Sequence, residues 1–231
     1  MLFVIGIVFM VVSLIASFRL KSKLKAISKI PLASGLSGKE VAELMLADHQ
    51  LRDVKVISVQ GVLSDHYNPM NKTVNLSPAV YNGRDAGAVA VAAHECGHAV
   101  QHAKAYSWLE FRSNMVPVQN VSANILNIII MISIFGGAAL GGAAMGPVLL
   151  VIIGCNLVLT LFSLVTLPVE YDASNRALAW ITNRGVVTQG EHKLAKEALN
   201  LAASTYLIAA LGAVTQLLYF VLMFLGVNRE D

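Results

Sequence analysis

The chain has 231 residues, 56% of them hydrophobic and only 13% charged, with a mean hydropathy of +0.65. Soluble domains carry about 25% charged residues, so the composition points to an integral membrane protein. The formal net charge is only +3 and no basic stripe is interleaved with aromatics, which excludes nucleic acid as a partner.

The first apolar run, Leu2 to Phe18, is followed by basic residues: Arg19, Lys21, Lys23, Lys25 and Lys29. A cleavable signal peptide carries its positive charges before the apolar run. The run therefore reads as an uncleaved anchor whose C-terminal end lies in the cytoplasm, the side that collects Lys and Arg. A soluble part is expected over about 30–112. Within it Ser37 and Glu40 form a capping box for a helix carrying Val41, Leu44 and Met45. Val54, Val56 and Ile57 read as a strand, and Gly61 to Tyr67 as a second. Asn68-Pro69-Met70-Asn71 marks a turn, and Thr73 to Leu76 returns as a third strand. Asp85 is placed to cap a helix running to about Ala103.

From Ser113 to Val169 there is no Asp, Glu, Lys or Arg. One helix of that length would measure about 86 Å at 1.5 Å per residue, far more than one bilayer. The glycines at 136–137 and 141–142, with Gly146-Pro147, predict a tight turn between two spans, near 116–140 and 148–167. A charged loop follows, Pro168 to Ala198, with a second capping box at Thr188 and Glu191, and a last span covers about 201–227. The expected architecture is a mainly α integral membrane protein: one membrane-embedded domain over 1–231, with spans at about 2–18, 116–140, 148–167 and 201–227. The small soluble α+β part comprises about 30–112 and 168–198. Cys96 and Cys155 have no partner at metal-ligand spacing and are expected to be free thiols.

His94-Glu95-Cys96-Gly97-His98 is the H-E-x-x-H pattern. On a helix, residues i and i+4 face one side, so both imidazoles can bind one zinc ion. Glu95 lies beside them, positioned to take a proton from a metal-bound water. Catalytic zinc needs a third protein ligand and an open position. Position 104 is Lys, which excludes the spacing that places a third histidine there. His102 would stack a third ligand along one straight helix, which cannot surround an ion tetrahedrally. Glu170 is the best candidate: two spans lie between it and His98, which returns the chain to the same side of the membrane. Tyr106, Trp108 and Phe111 form an interfacial belt just after the motif helix, and Glu170 closely follows the third span.

Several stretches carry a resemblance over nearly the whole chain. They are Asp65-His66-Tyr67-Asn68-Pro69, Leu76-Ser77-Pro78, Val80-Tyr81-Asn82-Gly83, Ala92 to Ala99, and Pro168-Val169-Glu170-Tyr171-Asp172-Ala173-Ser174. Together they resemble the YugP-like family of bacterial zinc-dependent membrane proteases. The resemblance implies a gluzincin-type zincin site with Glu170 as the third ligand. A more distant likeness is to HtpX-type membrane proteases, whose Glu-Tyr-x-Ala-Asp aligns with Glu170 to Ser174. The Asp of that pattern is expected to steady a ligand histidine, and Ser174 stands in its place.

The expected reaction is metal-assisted peptide hydrolysis with Glu95 as general base. His66 and Tyr206 are candidates for stabilising the oxyanion, with Arg176 third. Substrates would be membrane proteins or peptides, cleaved at the cytoplasmic membrane surface. They would pair as an added strand along the Gly61–Tyr67 or the Thr73–Leu76 segment. The alternative is a non-catalytic, zinc-stabilised membrane scaffold, in which Glu95 would have no task. A transporter is disfavoured because the middle spans carry no ionisable group. No oligomeric state is legible.

Overall fold

The computed structural model describes residues 2–135 and 145–227. Its elements run α1 (Leu2–Ile27), α2 (Gly38–Asp48), β1 (Lys55–Ser58), β2 (His66–Asn68), β3 (Thr73–Leu76), α3 (Pro78–Asn82), α4 (Ala86–Ala103), α5 (Ser107–Phe135), α6 (Met145–Asn183) and α7 (Gln189–Val227). Among the described residues, four helices are long and apolar enough to cross a membrane: Val4–Ile27, Ser107–Phe135, Gly146–Asn183 and Gln189–Gly226. Each extends beyond the apolar run that announced it. The glycine-rich turn expected around 136–147 falls mostly outside the described residues.

The chain forms two compact units. One comprises Met1–Leu14, Phe111–Leu167 and Tyr206–Asp231; the other comprises Ile15–Glu110 and Pro168–Thr205. In the first unit, small residues set the helix packing. The ring of Phe9 on α1 lies where a side chain on Gly212 of α7 would stand. The Thr160 hydroxyl on α6 donates to the Ala213 carbonyl on α7 at 3.2 Å.

The second unit holds the water-type core: Ile27, Val41, Met45, Val74, Leu76, Val89, Val100 and Ile181, together with the alanines of α4. Helix α2 begins as its sequence demands. Ser37 accepts from the Glu40 N–H at 3.3 Å, and the Glu40 carboxylate accepts from the Ser37 N–H at 2.7 Å. The three-stranded sheet has the order β1-β3-β2, with β1 parallel and β2 antiparallel to β3. The strand expected over Gly61–Tyr67 is reduced to His66–Asn68. Because β3 is paired on both sides, Thr73–Leu76 has no free edge to offer a substrate; the outer edges belong to β1 and β2.

The loop expected over Pro168–Ala198 is largely helical. Helix α6 continues through Pro168 to Asn183. It ends at Gly185, whose φ of +68° is the left-handed turn that glycine adopts without penalty. Helix α7 then starts at Gln189 under the expected cap: Thr188 Oγ1 accepts from the Glu191 N–H at 3.4 Å, and Glu191 accepts from the Thr188 N–H at 2.7 Å. Glu170 therefore sits on a helix, which fixes the direction of its side chain.

Candidate metal centre

Helix α4 carries the motif. Asp85 caps it by accepting from the Gly87 and Ala88 N–H groups at 2.9 and 3.0 Å. Its run of Ala and Gly lets other helices approach closely, and nearly all of it is buried. The closest approach is at Gly97, where a Cβ would meet the Ala173 carbonyl oxygen of α6 at 2.7 Å. A glycine between the two histidines is thus what lets α6 bring Glu170 against them.

His94, His98 and Glu170 meet. Glu170 Oε2 lies 3.3 Å from His94 Nε2 and 3.7 Å from His98 Nε2. One potential ligand atom from each residue falls within 4.8 Å of the others. The two imidazoles stand edge to face, with centroids 4.8 Å apart. Glu170 is 3% exposed, and His98 is buried as well. Burial alone would lower the pKa of His98. The Glu170 carboxylate beside it, and the charge of Glu95, outweigh that and hold it above the ordinary histidine value.

Both rings are gripped from behind. His94 Nδ1 lies 3.1 Å from Ser174 Oγ, so the serine that stands in place of the expected Asp still contacts one of the two motif histidines. His98 Nδ1 lies 2.9 Å from Gln101 Oε1. The Gln101 amide also donates to the Val169 carbonyl and to Asp172 Oδ2, and Arg176 Nε donates to that same Asp172 oxygen. Neither Gln101 nor the part played by Asp172 was anticipated from the sequence. The one hint of Gln101 in the sequence is its position, three residues after His98 on the same helix.

Glu95 is buried beside the rings on α4. His102 does not join the group. Its Nδ1 lies 2.9 Å from the hydroxyl of Tyr67 on β2. Cys96 is buried with its thiol aimed at the Ala42 carbonyl, 3.6 Å away, and burial pushes the thiol pKa up; it is a core residue. His66 is exposed at the start of β2, with its Nδ1 on the Ser64 carbonyl at 2.8 Å. Tyr206 belongs to the other unit.

The family described as "Putative neutral zinc metallopeptidase" matches residues 2–225. The chain belongs to this family. Its relatives include a protein of Bacillus subtilis (strain 168) described as "Putative membrane protease YugP", 38% identical over 220 residues, 94% of this chain and 93% of the relative. No solved structure matches the chain. The zinc implied for a neutral zinc metallopeptidase suits the donors present. Ligand atoms about 2.0–2.2 Å from a tetrahedral zinc lie roughly 3.3–3.5 Å from one another. The glutamate–histidine separations here are close to that, and two imidazoles with one carboxylate form a catalytic zinc donor set.

Proposed function

We propose that this chain is a membrane-embedded zinc endopeptidase that hydrolyses peptide bonds of membrane proteins or peptides at the cytoplasmic surface of a bacterial membrane. The observation that carries this reading is the meeting of His94, His98 and Glu170 within one ligand sphere. His94 and His98 would hold the ion through Nε2 and Glu170 through a carboxylate oxygen. Bound there, zinc supplies Lewis acidity, which acidifies water and polarises a peptide carbonyl.

The chain's own groups do the rest. Glu95 takes the proton of the attacking water and passes it to the leaving amine nitrogen. An extended substrate pairs its main chain with an outer sheet edge, β2 being the strand whose Tyr67 reaches α4. His66 is proposed as a donor to the developing oxyanion. The run of Lys and Arg that follows the first apolar segment supports a cytoplasmic position for the metal-bearing unit.

The test uses the purified full chain in detergent with a quenched fluorescent peptide library. Cleavage that is lost on chelation and restored by zinc supports the reading. Zinc-loaded protein that cleaves nothing, in detergent and in bilayers, supports a zinc-stabilised scaffold instead.

A further inference from the structure

Gln101 is the wholly buried polar side chain nearest the metal group, 0% exposed, and its hydrogen bonds fix its orientation. An amide presents two N–H donors on one side and a carbonyl acceptor on the other. On one side of Gln101 stand the Val169 carbonyl at 2.8 Å and Asp172 Oδ2 at 2.7 Å. The first accepts only, and so does a carboxylate paired, as here, with Arg176 Nε at 2.5 Å. The NH2 group must therefore face them, since a flipped amide would set oxygen against two oxygens. It follows that Oε1 faces His98, at 2.9 Å. An oxygen acceptor at Nδ1 requires a proton on Nδ1. The lone pair of a neutral His98 is then on Nε2, the atom beside Glu170.

The same amide also binds α6 on either side of Glu170, at Val169 and at Asp172. One side chain on the motif helix thus holds one ligand ring and the helix segment bearing another ligand. His94 differs. Its Nδ1 partner is the Ser174 hydroxyl, which can donate or accept and so leaves the tautomer open.

We propose that Gln101 is a positioning residue that locks His98 in its Nδ1–H tautomer and registers Glu170 against it, with Asp172 and Arg176 as the charged anchor of the amide. The inference rests on the reading of His98 and Glu170 as zinc ligands. Partners of this kind typically change metal affinity by about 10–100-fold.

Zinc is the probe. Its dissociation constant is measured by chelator competition on the full chain in detergent, for wild type, Gln101→Met, Asp172→Asn and Ser174→Ala. Gln101→Met keeps length and bulk without polar atoms and is expected to weaken zinc binding about 10–100-fold, more than Ser174→Ala does. Asp172→Asn keeps an acceptor but removes its charge, and a smaller loss of several-fold is expected. Nitrogen NMR of His98 in metal-free protein at alkaline pH gives a readout that packing alone would not move. Wild type should show the Nδ1–H form, and Gln101→Met a mixture of tautomers. Folded Gln101→Met binding zinc within about twofold of wild type, or a wild-type His98 protonated on Nε2, would overturn the proposal while leaving the peptidase reading intact. If Gln101→Met does not fold, Asp172→Asn decides: unchanged affinity and an unchanged tautomer overturn the anchor. Wild type that binds no zinc overturns both.

Discussion

In the first unit Ile128, Ile132, Leu150, Leu211 and Leu222 stand exposed, and Arg112 is the single charged side chain among the described residues. In the second unit side chains of the same kinds, Ile27, Met45, Leu76, Val100 and Ile181, are wholly buried. Ion pairs lie on its surface, Lys23 with Glu197 and Arg184 with Asp48 among them. One chain thus meets two solvents. Exposed apolar residues belong where the solvent is hydrocarbon. Where it is water, they collapse into a core around α4. The polar cluster follows the second rule: the candidate metal group of His94, His98 and Glu170, with Gln101 and Glu95, belongs to the water-type unit.

The largest effect should come from one atom pair in that unit. Glu95→Gln is expected to lower peptide cleavage by about 10²–10⁴-fold or more, with zinc content and thermal unfolding unchanged; initial rates and metal analysis check it. A paired substitution then tests the two solvents directly. Ile128 and Met70 are both exposed, at 59% and 90%. Ile128→Arg should oppose membrane insertion by about 2.5–3.5 kcal/mol, seen as loss of the membrane fraction. Met70→Arg should leave expression and melting temperature unchanged. Equal tolerance at both positions would erase the contrast.

A second pair sharpens it. Gly97→Ala places a methyl group 2.7 Å from the Ala173 oxygen, so α6 must shift. About 1–3 kcal/mol of stability should go, and zinc binding should weaken with it. Gly154→Ala, in the first unit, meets nothing within 4 Å and should be neutral or stabilising by about 0.5–1 kcal/mol. Acidity acts next. Zinc needs a neutral His98, whose proton the neighbouring carboxylates hold to a higher pH than usual. Apparent zinc affinity should fall as pH drops through that raised pKa, by up to about tenfold per pH unit for each proton displaced, and should level off above it. Zinc titrations across pH measure this. The smallest effect is at the cap of α2: Ser37→Ala should cost about 1 kcal/mol, read from denaturant unfolding.

Sequence reading succeeded where local rules suffice. The boxes at Ser37–Glu40 and Thr188–Glu191, the Asp85 cap, β3 at Thr73–Leu76 and the pairing of His94 with His98 all follow from spacing. Glu170 came from counting spans. Charge and a proline end the hydropathy run at Pro168, so the sequence predicts a loop where the structure has helix. Charge marks only where a helix leaves hydrocarbon, and α6 runs on to Asn183. Gln101 is hinted at by its spacing from His98, but its role is not legible, for a different reason. Its role depends on where α6 places Val169 and Asp172, a tertiary contact that no local pattern encodes. Ser174, by contrast, is legible as a departure from the Asp of the distantly similar pattern, and its contact with His94 shows that a shorter polar group still reaches the ring.

The central claim is that one carboxylate from α6 completes a metal site begun on α4. It is tested most directly by zinc stoichiometry and affinity, measured side by side on full-length wild type and Glu170→Gln in detergent. The account predicts one zinc per wild-type chain and a substituted protein that remains folded but loses the ion at chelator concentrations the wild type withstands. Equal occupancy and equal affinity in the two proteins would contradict it.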